Sequence, residues 1–131
     1  MKWKAEYAIG IEAIDAQHKT IFEHLLALEN SMVKKDSKDI QRFFHTQLAD
    51  YLKFHFAVEE AMLDALRYPD MKDHLARHGR LGERMRELEM AALRSGSANE
   101  LVHFFEDWFV GHVLADDRQY ADYVLRLTGA R

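Results

Sequence analysis

Apolar residues recur every three or four positions along most of this chain, which is the periodicity of amphipathic α-helices. Polar and turn-forming stretches interrupt the pattern three times and divide it into four helices. The predicted helices cover residues 15–34, 38–66, 71–94 and 97–127. We also predict a break in the last of them near Ala115.

The connections between these helices are short, which favours antiparallel neighbours. Asp70 follows Tyr68 and Pro69 and is a candidate cap for the third helix, and Ser97 with Glu100 forms an S-x-x-E capping box for the fourth. The pattern therefore predicts an all-α fold, an antiparallel up-down-up-down four-helix bundle with an irregular N-terminal arm. We expect Trp3 and Ile9, within this arm, to lie on the bundle.

Composition limits the function classes. The 131 residues suit a single domain spanning 1–131, and the net charge of −4 provides no basic surface for nucleic acid. Since the chain has no cysteine, any bound metal must use nitrogen and oxygen ligands. No apolar stretch approaches the length of a membrane span, so we expect no membrane insertion and a cytoplasmic location.

The direction of the histidines is more informative than their number, which is eight. Five of them and one glutamate fall on the apolar stripes of all four predicted helices. The inward set is His18, His55, Glu59, His74, His78 and His112. Burying even one such group without a partner costs a few kcal/mol. Shared metal ions would satisfy all six at once, whereas separate hydrogen-bond partners for each are improbable in so small a core.

Three further histidines lie elsewhere on the helices. His103 is about 180° around its helix from His112, so we interpret it, with Glu100, as a surface residue. His24 and His45 fall on the flanks of their stripes. All three are interpreted as structural or surface residues.

Imidazole and carboxylate ligands suit iron, zinc, copper or manganese. Six inward ligands overfill a tetrahedral zinc site, and no H-E-x-x-H motif is present. A pair of octahedral ions fits better, because two bridging carboxylates, one bridging oxide or hydroxide and five imidazoles supply about eleven of about twelve positions. One position would then accept a small exogenous ligand.

The second carboxylate of such a centre must come from the fourth helix. Asp116 is four residues after His112 and shares its face, whereas Asp117 is turned about 140° away unless the helix widens or breaks. Spacing alone favours Asp116 or leaves a tie.

These motifs together resemble the ligand signature of the hemerythrins. The resemblance spans almost the whole chain and includes the flanks G-I-E-A-I-D-A-Q-H-K, H-F-A-V-E-E and D-W-F-V-G-H. It implies seven iron ligands, with Asp117 as the second bridging carboxylate. The implied ligands are His18, His55, Glu59, His74, His78, His112 and Asp117.

The resemblance also implies a function. Two iron ions (Fe2+/Fe3+) with a bridging oxo or hydroxo group would bind dioxygen reversibly, for oxygen storage, transport or delivery to an oxygen-consuming enzyme. Phe22, Trp108 and Leu114 are candidates for the apolar lining of the oxygen pocket, with ordinary core packing as the equal alternative. Tyr120 is a candidate to contact a metal ligand without binding the metal itself.

Two other functions share this chemistry. A di-iron enzyme, such as an oxidase or a nitric oxide or peroxide reductase, is the first, but the site is rich in histidine and poor in carboxylate. An oxygen or iron sensor acting through a separate partner is the second. We expect a binding protein and not an enzyme.

Overall fold

The structure, a computed structural model, describes residues 3–108 and 117–129. Its helices are a short 3-10 helix at Ala5–Tyr7, then α1 (Glu12–Val33), α2 (Lys38–Ala65), α3 (Met71–Ser95), α4 (Asn99–Trp108) and α5 (Arg118–Leu127). The described residues contain no strand, which confirms the all-α prediction. The fourth predicted helix corresponds to α4 and α5. The predicted break near Ala115 lies outside the described residues.

Tight helix ends produce the chain reversals that build the bundle. Lys35 and Arg67 adopt left-handed backbone conformations, with φ of 55° and 54°. The next amide in each case reaches back to a carbonyl in the last turn: Asp36 donates to Ser31 at 2.9 Å and Tyr68 donates to Leu63 at 3.0 Å. Such closures satisfy the free carbonyls of a helix end and turn the chain sharply. Consecutive helices therefore pack side by side, α1 on α2, α2 on α3 and α3 on α4.

The N-terminal arm is fixed by the first turn of α1. Helix α1 begins at Glu12, three residues before the predicted start, so Asp15 lies within it. The Asp15 carboxylate accepts the amides of Ile9 at 2.8 Å and Gly10 at 3.2 Å. Ile9 is buried and Trp3 packs partly against the core, as the sequence predicted.

The predicted capping box of α4 is wrong, whereas Asp70 occupies the N-cap position of α3 as predicted. Ala98 provides the first helical carbonyl of α4, accepting from Val102, so Ser97 stands one residue too early for a capping box. Its Oγ accepts instead from the Asn99 amide at 3.4 Å. Asp70 precedes α3 but makes no side-chain capping hydrogen bond.

The core consists of aliphatic and aromatic side chains from every long helix. The most deeply buried include Ile14, Ile21, Leu25, Leu28, Leu48, Leu63, Leu101, Phe105 and Tyr120. Most of the buried polar residues, all but Ser31, Gln41 and Glu89, belong to the cluster described below. Among the described residues, no helix is both long enough and apolar enough to cross a membrane.

Candidate metal centre

Four histidines and one glutamate meet in the interior of the bundle. They form two groups that share Glu59: one with His18 and His55, the other with His74 and His78. Within each group the ligand atoms lie within 4.8 Å of one another. Helical spacing explains the convergence, since His55 and Glu59 on α2, and His74 and His78 on α3, are four residues apart and so share a face.

Glu59 directs its two oxygens to different partners. Oε1 lies 2.5 Å from His74 Nε2 and 2.9 Å from His78 Nε2. Oε2 lies 3.3 Å from His55 Nε2 and accepts the Tyr120 hydroxyl at 2.9 Å. Glu59 therefore offers one oxygen to the histidines of α3 and the other to His55.

A second carboxylate approaches from the start of α5. Asp117 is 2% exposed, and its Oδ2 lies 3.8 Å from Nε2 of His18, which is fully buried. Of the two aspartates that spacing left open, Asp117 is thus brought to the cluster. His112 and Asp116 lie outside the described residues.

The outer nitrogens of two histidines are held by polar partners. His55 Nδ1–H donates to Gln17 Oε1 at 2.8 Å, and His78 Nδ1–H donates to Glu60 Oε1 at 3.0 Å. Since Nδ1 carries the proton in both rings, Nε2 is the nitrogen left to bind a metal. The sequence analysis did not select Gln17 or Glu60. The only signal for them was their position in the chain, one residue before His18 and one residue after Glu59.

Burial and contacts within the cluster shift the pKa values of three of its residues. Burial would raise the pKa of Glu59, but hydrogen bonds from His55, His74 and His78 outweigh it and hold this pKa well below its ordinary value. Burial would lower the pKa of His78, yet its contacts with Glu59 and Glu60 raise it. The pKa of Tyr120 is raised well above its ordinary value, first by burial and then by the charges of Glu59 and Asp117.

The donor set fits a metal site. Every converging group is an imidazole or a carboxylate, and each is at most 5% exposed. Nitrogen and oxygen donors of this type suit iron and its neighbours in the first transition series.

Aromatic side chains pack around Phe105 and against the ring of His78. Phe22 and Trp108 are buried, and both contact Phe105, with ring centroids 5.3 Å and 5.2 Å apart. Phe56, which sequence reasoning did not select, stacks on the His78 ring at 4.1 Å and packs edge-on against Trp108 at 6.4 Å. The third predicted pocket residue, Leu114, lies outside the described residues.

The remaining histidines are separate from the cluster. His103 is exposed, and His24 is half-buried beside Tyr51 at a centroid distance of 5.2 Å. His45 pairs with Glu89 on α3 at 2.6 Å, and Glu89 is only 2% exposed. This buried glutamate was not anticipated from the sequence, and it gives His45 a structural role between α2 and α3.

Comparison with known proteins agrees with this geometry. Residues 9–124 match the Hemerythrin HHE cation binding domain. The chain is 30% identical to a bacteriohemerythrin of Stenotrophomonas maltophilia, with 93% of this chain and 80% of that protein covered. It is 25% identical to a bacteriohemerythrin of Clostridium acetobutylicum, with 92% and 98% covered. A crystal structure of a hemerythrin point variant superposes with a TM-score of 0.79 at 28% identity, covering 93% and 95% of the two chains.

The fold and the buried histidine and carboxylate cluster define a helical bundle of the metal-binding class. The chain belongs to the hemerythrin family, and the bacterial hemerythrins are among its relatives. The two groups that share Glu59 fit the cation-binding description of the matched domain.

Proposed function

We propose that this protein binds dioxygen reversibly at a pair of non-haem irons, for oxygen storage, transport or delivery. The observation that carries the proposal is the geometry of Glu59, whose two oxygens face histidines on different sides. A carboxylate whose two oxygens face different histidines is better suited to binding two cations than one. The family relationship supports iron as the metal and dioxygen as its ligand.

Each iron has its own ligands in this proposal. His18 and His55 would bind the iron that takes up dioxygen, whereas His74, His78 and His112 would bind the other. Glu59 and Asp117 would supply carboxylate oxygens to the pair. When bound, the ferrous pair, with its oxo or hydroxo bridge, supplies the open position and the reversible electron donation that dioxygen binding requires.

The surrounding side chains keep water and reductants out. Phe22 and Trp108 are 3% and 8% exposed and both contact Phe105, and Phe56 connects Trp108 to the ring of His78. We assign them, with Leu114, to the lining of the oxygen pocket. Tyr120 orients Glu59 through its hydrogen bond to Oε2. A dry site favours reversible binding because water assists irreversible oxidation.

The proposal is tested on iron-loaded, anaerobically reduced protein. Iron content and visible absorption are recorded under argon, in air and after return to argon. We expect two irons per chain and an absorption band that appears in air and fades under argon. Two irons with irreversible oxidation would contradict reversible binding, and an absence of iron would overturn the proposal.

A turnover assay separates the carrier from a di-iron enzyme. The same sample is supplied with a reductant and with dioxygen, nitric oxide or hydrogen peroxide, and consumption of the substrate is followed. A carrier binds dioxygen stoichiometrically and then stops. Sustained consumption that depends on the bound iron would assign the chain to the oxidase or reductase class.

A further inference from the structure

The two histidines whose outer partners are resolved differ in the charge of those partners. His55 Nδ1–H donates to the neutral amide oxygen of Gln17 at 2.8 Å. His78 Nδ1–H donates to the carboxylate of Glu60 at 3.0 Å. Glu59 lies between the two rings and contacts both through their Nε2 atoms. Of these two rings, that of His78 is the one polarised by a carboxylate.

A carboxylate and an amide affect an imidazole differently. When the Nδ1 proton is shared with an anion, electron density at Nε2 increases and the ring becomes a more basic ligand. A charge-assisted hydrogen bond is about twice as strong as a neutral one. The Glu60 side chain is 33% exposed, so solvent screens its charge in part.

The ring of His78 is held in the orientation that this hydrogen bond needs. Phe56 stacks on it with an interplanar angle of 17° and a centroid distance of 4.1 Å. Glu60 immediately follows Glu59 on α2, so its carboxylate comes from the helix that also supplies the bridge. The polarising group and the bridging ligand are thus positioned by one rigid element.

We propose that Glu60 is a positioning residue that makes the His74 and His78 side of the centre the stronger electron donor. Gln17 keeps the His18 and His55 side weaker. The metal on the His74 and His78 side is accordingly oxidised first and reduced last. This inference rests on the proposed two-iron centre and adds an order to its oxidation.

Two reciprocal substitutions test the proposal. Glu60→Gln keeps a hydrogen-bond acceptor and removes the charge, whereas Gln17→Glu adds a charge on the opposite side. The one-electron reduction potentials are measured by spectroelectrochemistry on iron-loaded protein. We expect Glu60→Gln to favour the reduced form of its iron about tenfold, a rise of ~59 mV for a one-electron couple. Gln17→Glu should lower the potential of the other iron.

A matched control removes a carboxylate that has no contact with the site. Glu87 is on α3, is 68% exposed and pairs with Arg84. Glu87→Gln should leave both potentials unchanged. A Glu60→Gln shift no larger than that of Glu87→Gln would overturn the proposal. If Glu60→Gln fails to load iron, Gln17→Glu decides alone, and an unchanged or raised potential overturns the proposal.

A second readout needs no metal. In the metal-free protein, the His78 Nδ1–H proton resonance should move upfield in Glu60→Gln, because the hydrogen bond loses its ionic character. An unmoved resonance would count against the contact itself. Iron content, measured in the same samples, separates the two proposals: two irons with unshifted potentials overturn only this inference, whereas no iron in the unmodified protein overturns the proposed function as well.

Discussion

The hydroxyl of Tyr120 donates a hydrogen bond to Glu59 Oε2 at 2.9 Å, linking α5 to the carboxylate that both histidine groups share. Tyr120 is fully buried, and so is Glu59. A charge-assisted hydrogen bond in the interior is stronger than one at the surface. The stability of the bundle and the orientation of the shared ligand are therefore coupled.

Tyr120→Phe should lower both the stability of the bundle and its affinity for iron. It removes one hydrogen bond to a buried carboxylate without creating a large cavity, so we expect the free energy of unfolding of the metal-free protein to fall by about 1.5–3 kcal/mol. Iron affinity should fall by about tenfold. Denaturant unfolding and competition with a chelator measure these effects.

Tyr123→Phe is the matched control for this prediction. The Tyr123 hydroxyl donates to the carbonyls of Leu66 and Arg67 at 2.7 Å and 3.1 Å, away from the cluster. This variant should lose stability but keep its iron affinity. Equal loss of affinity in both variants would show that the effect of Tyr120 is a general consequence of destabilisation.

Glu59→Gln should remove the bridge and keep the fold. An amide has only one oxygen to offer, so we expect iron to fall from two per chain to one or none while helix content is retained. Glu89→Gln is the control, because Glu89 is also a buried glutamate but pairs with His45. His45 precedes Glu59 by 14 residues, which is about 21 Å along α2. Undiminished iron in Glu59→Gln would contradict the assignment of this ligand.

The metal-free protein should be most stable between about pH 4.5 and 6.5. The pKa of Glu59 is lowered in the fold, so its contribution to stability is complete above its ordinary value of 4.5 and is lost as pH falls through the lowered pKa. The pKa of His78 is raised, so its contribution is complete below 6.5 and is lost as pH rises through the raised pKa. Denaturant unfolding at a series of pH values measures the profile.

Over the acidic part of this range the iron-loaded protein should lose its metal, whereas the metal-free protein is at its most stable. Imidazoles must be neutral to bind iron, so acidification below about pH 6.5 should release the metal. If the stability of the metal-free form increased steadily from pH 6.5 to 9, this would contradict the predicted loss of the His78 contribution. Iron retained at pH 4.5 would contradict histidine ligation.

Phe22→Leu should loosen the aromatic packing around Phe105. Phe22 contacts Trp3, Tyr7 and Phe105 through its ring, so the substitution should cost about 1 kcal/mol of stability. Faster irreversible oxidation of the iron is expected as water enters. Phe43→Leu is the control, because Phe43 is 57% exposed on α2. Equal oxidation rates in the two variants would remove Phe22 from the oxygen pocket.

Helical periodicity was sufficient to predict the fold and the convergence of the buried histidines on Glu59. Inward direction depends only on position along a helix, and His18, His55, Glu59, His74 and His78 all lie on the apolar stripes of their helices. The choice between Asp116 and Asp117 needed more than spacing, because it depends on the backbone path after α4.

Contacts between helices were not predictable in the same way. Gln17 and Glu60 lie beside the apolar stripes, and nothing in the sequence shows that they face the outer nitrogens of His55 and His78. Glu89 stands among charged residues of α3 and is buried only because His45 of α2 faces it. Ser97 matched a capping box, but the first helical carbonyl belongs to Ala98.

The central claim is that Glu59 joins two metal positions, and anomalous diffraction at the iron edge from crystals of the iron-loaded protein tests it most directly. We predict two iron peaks about 3.5–4 Å apart. One should lie within coordination distance of His18 and His55, the other of His74 and His78, with a Glu59 oxygen on each. A single peak, or two peaks of which only one contacts Glu59, would contradict this account.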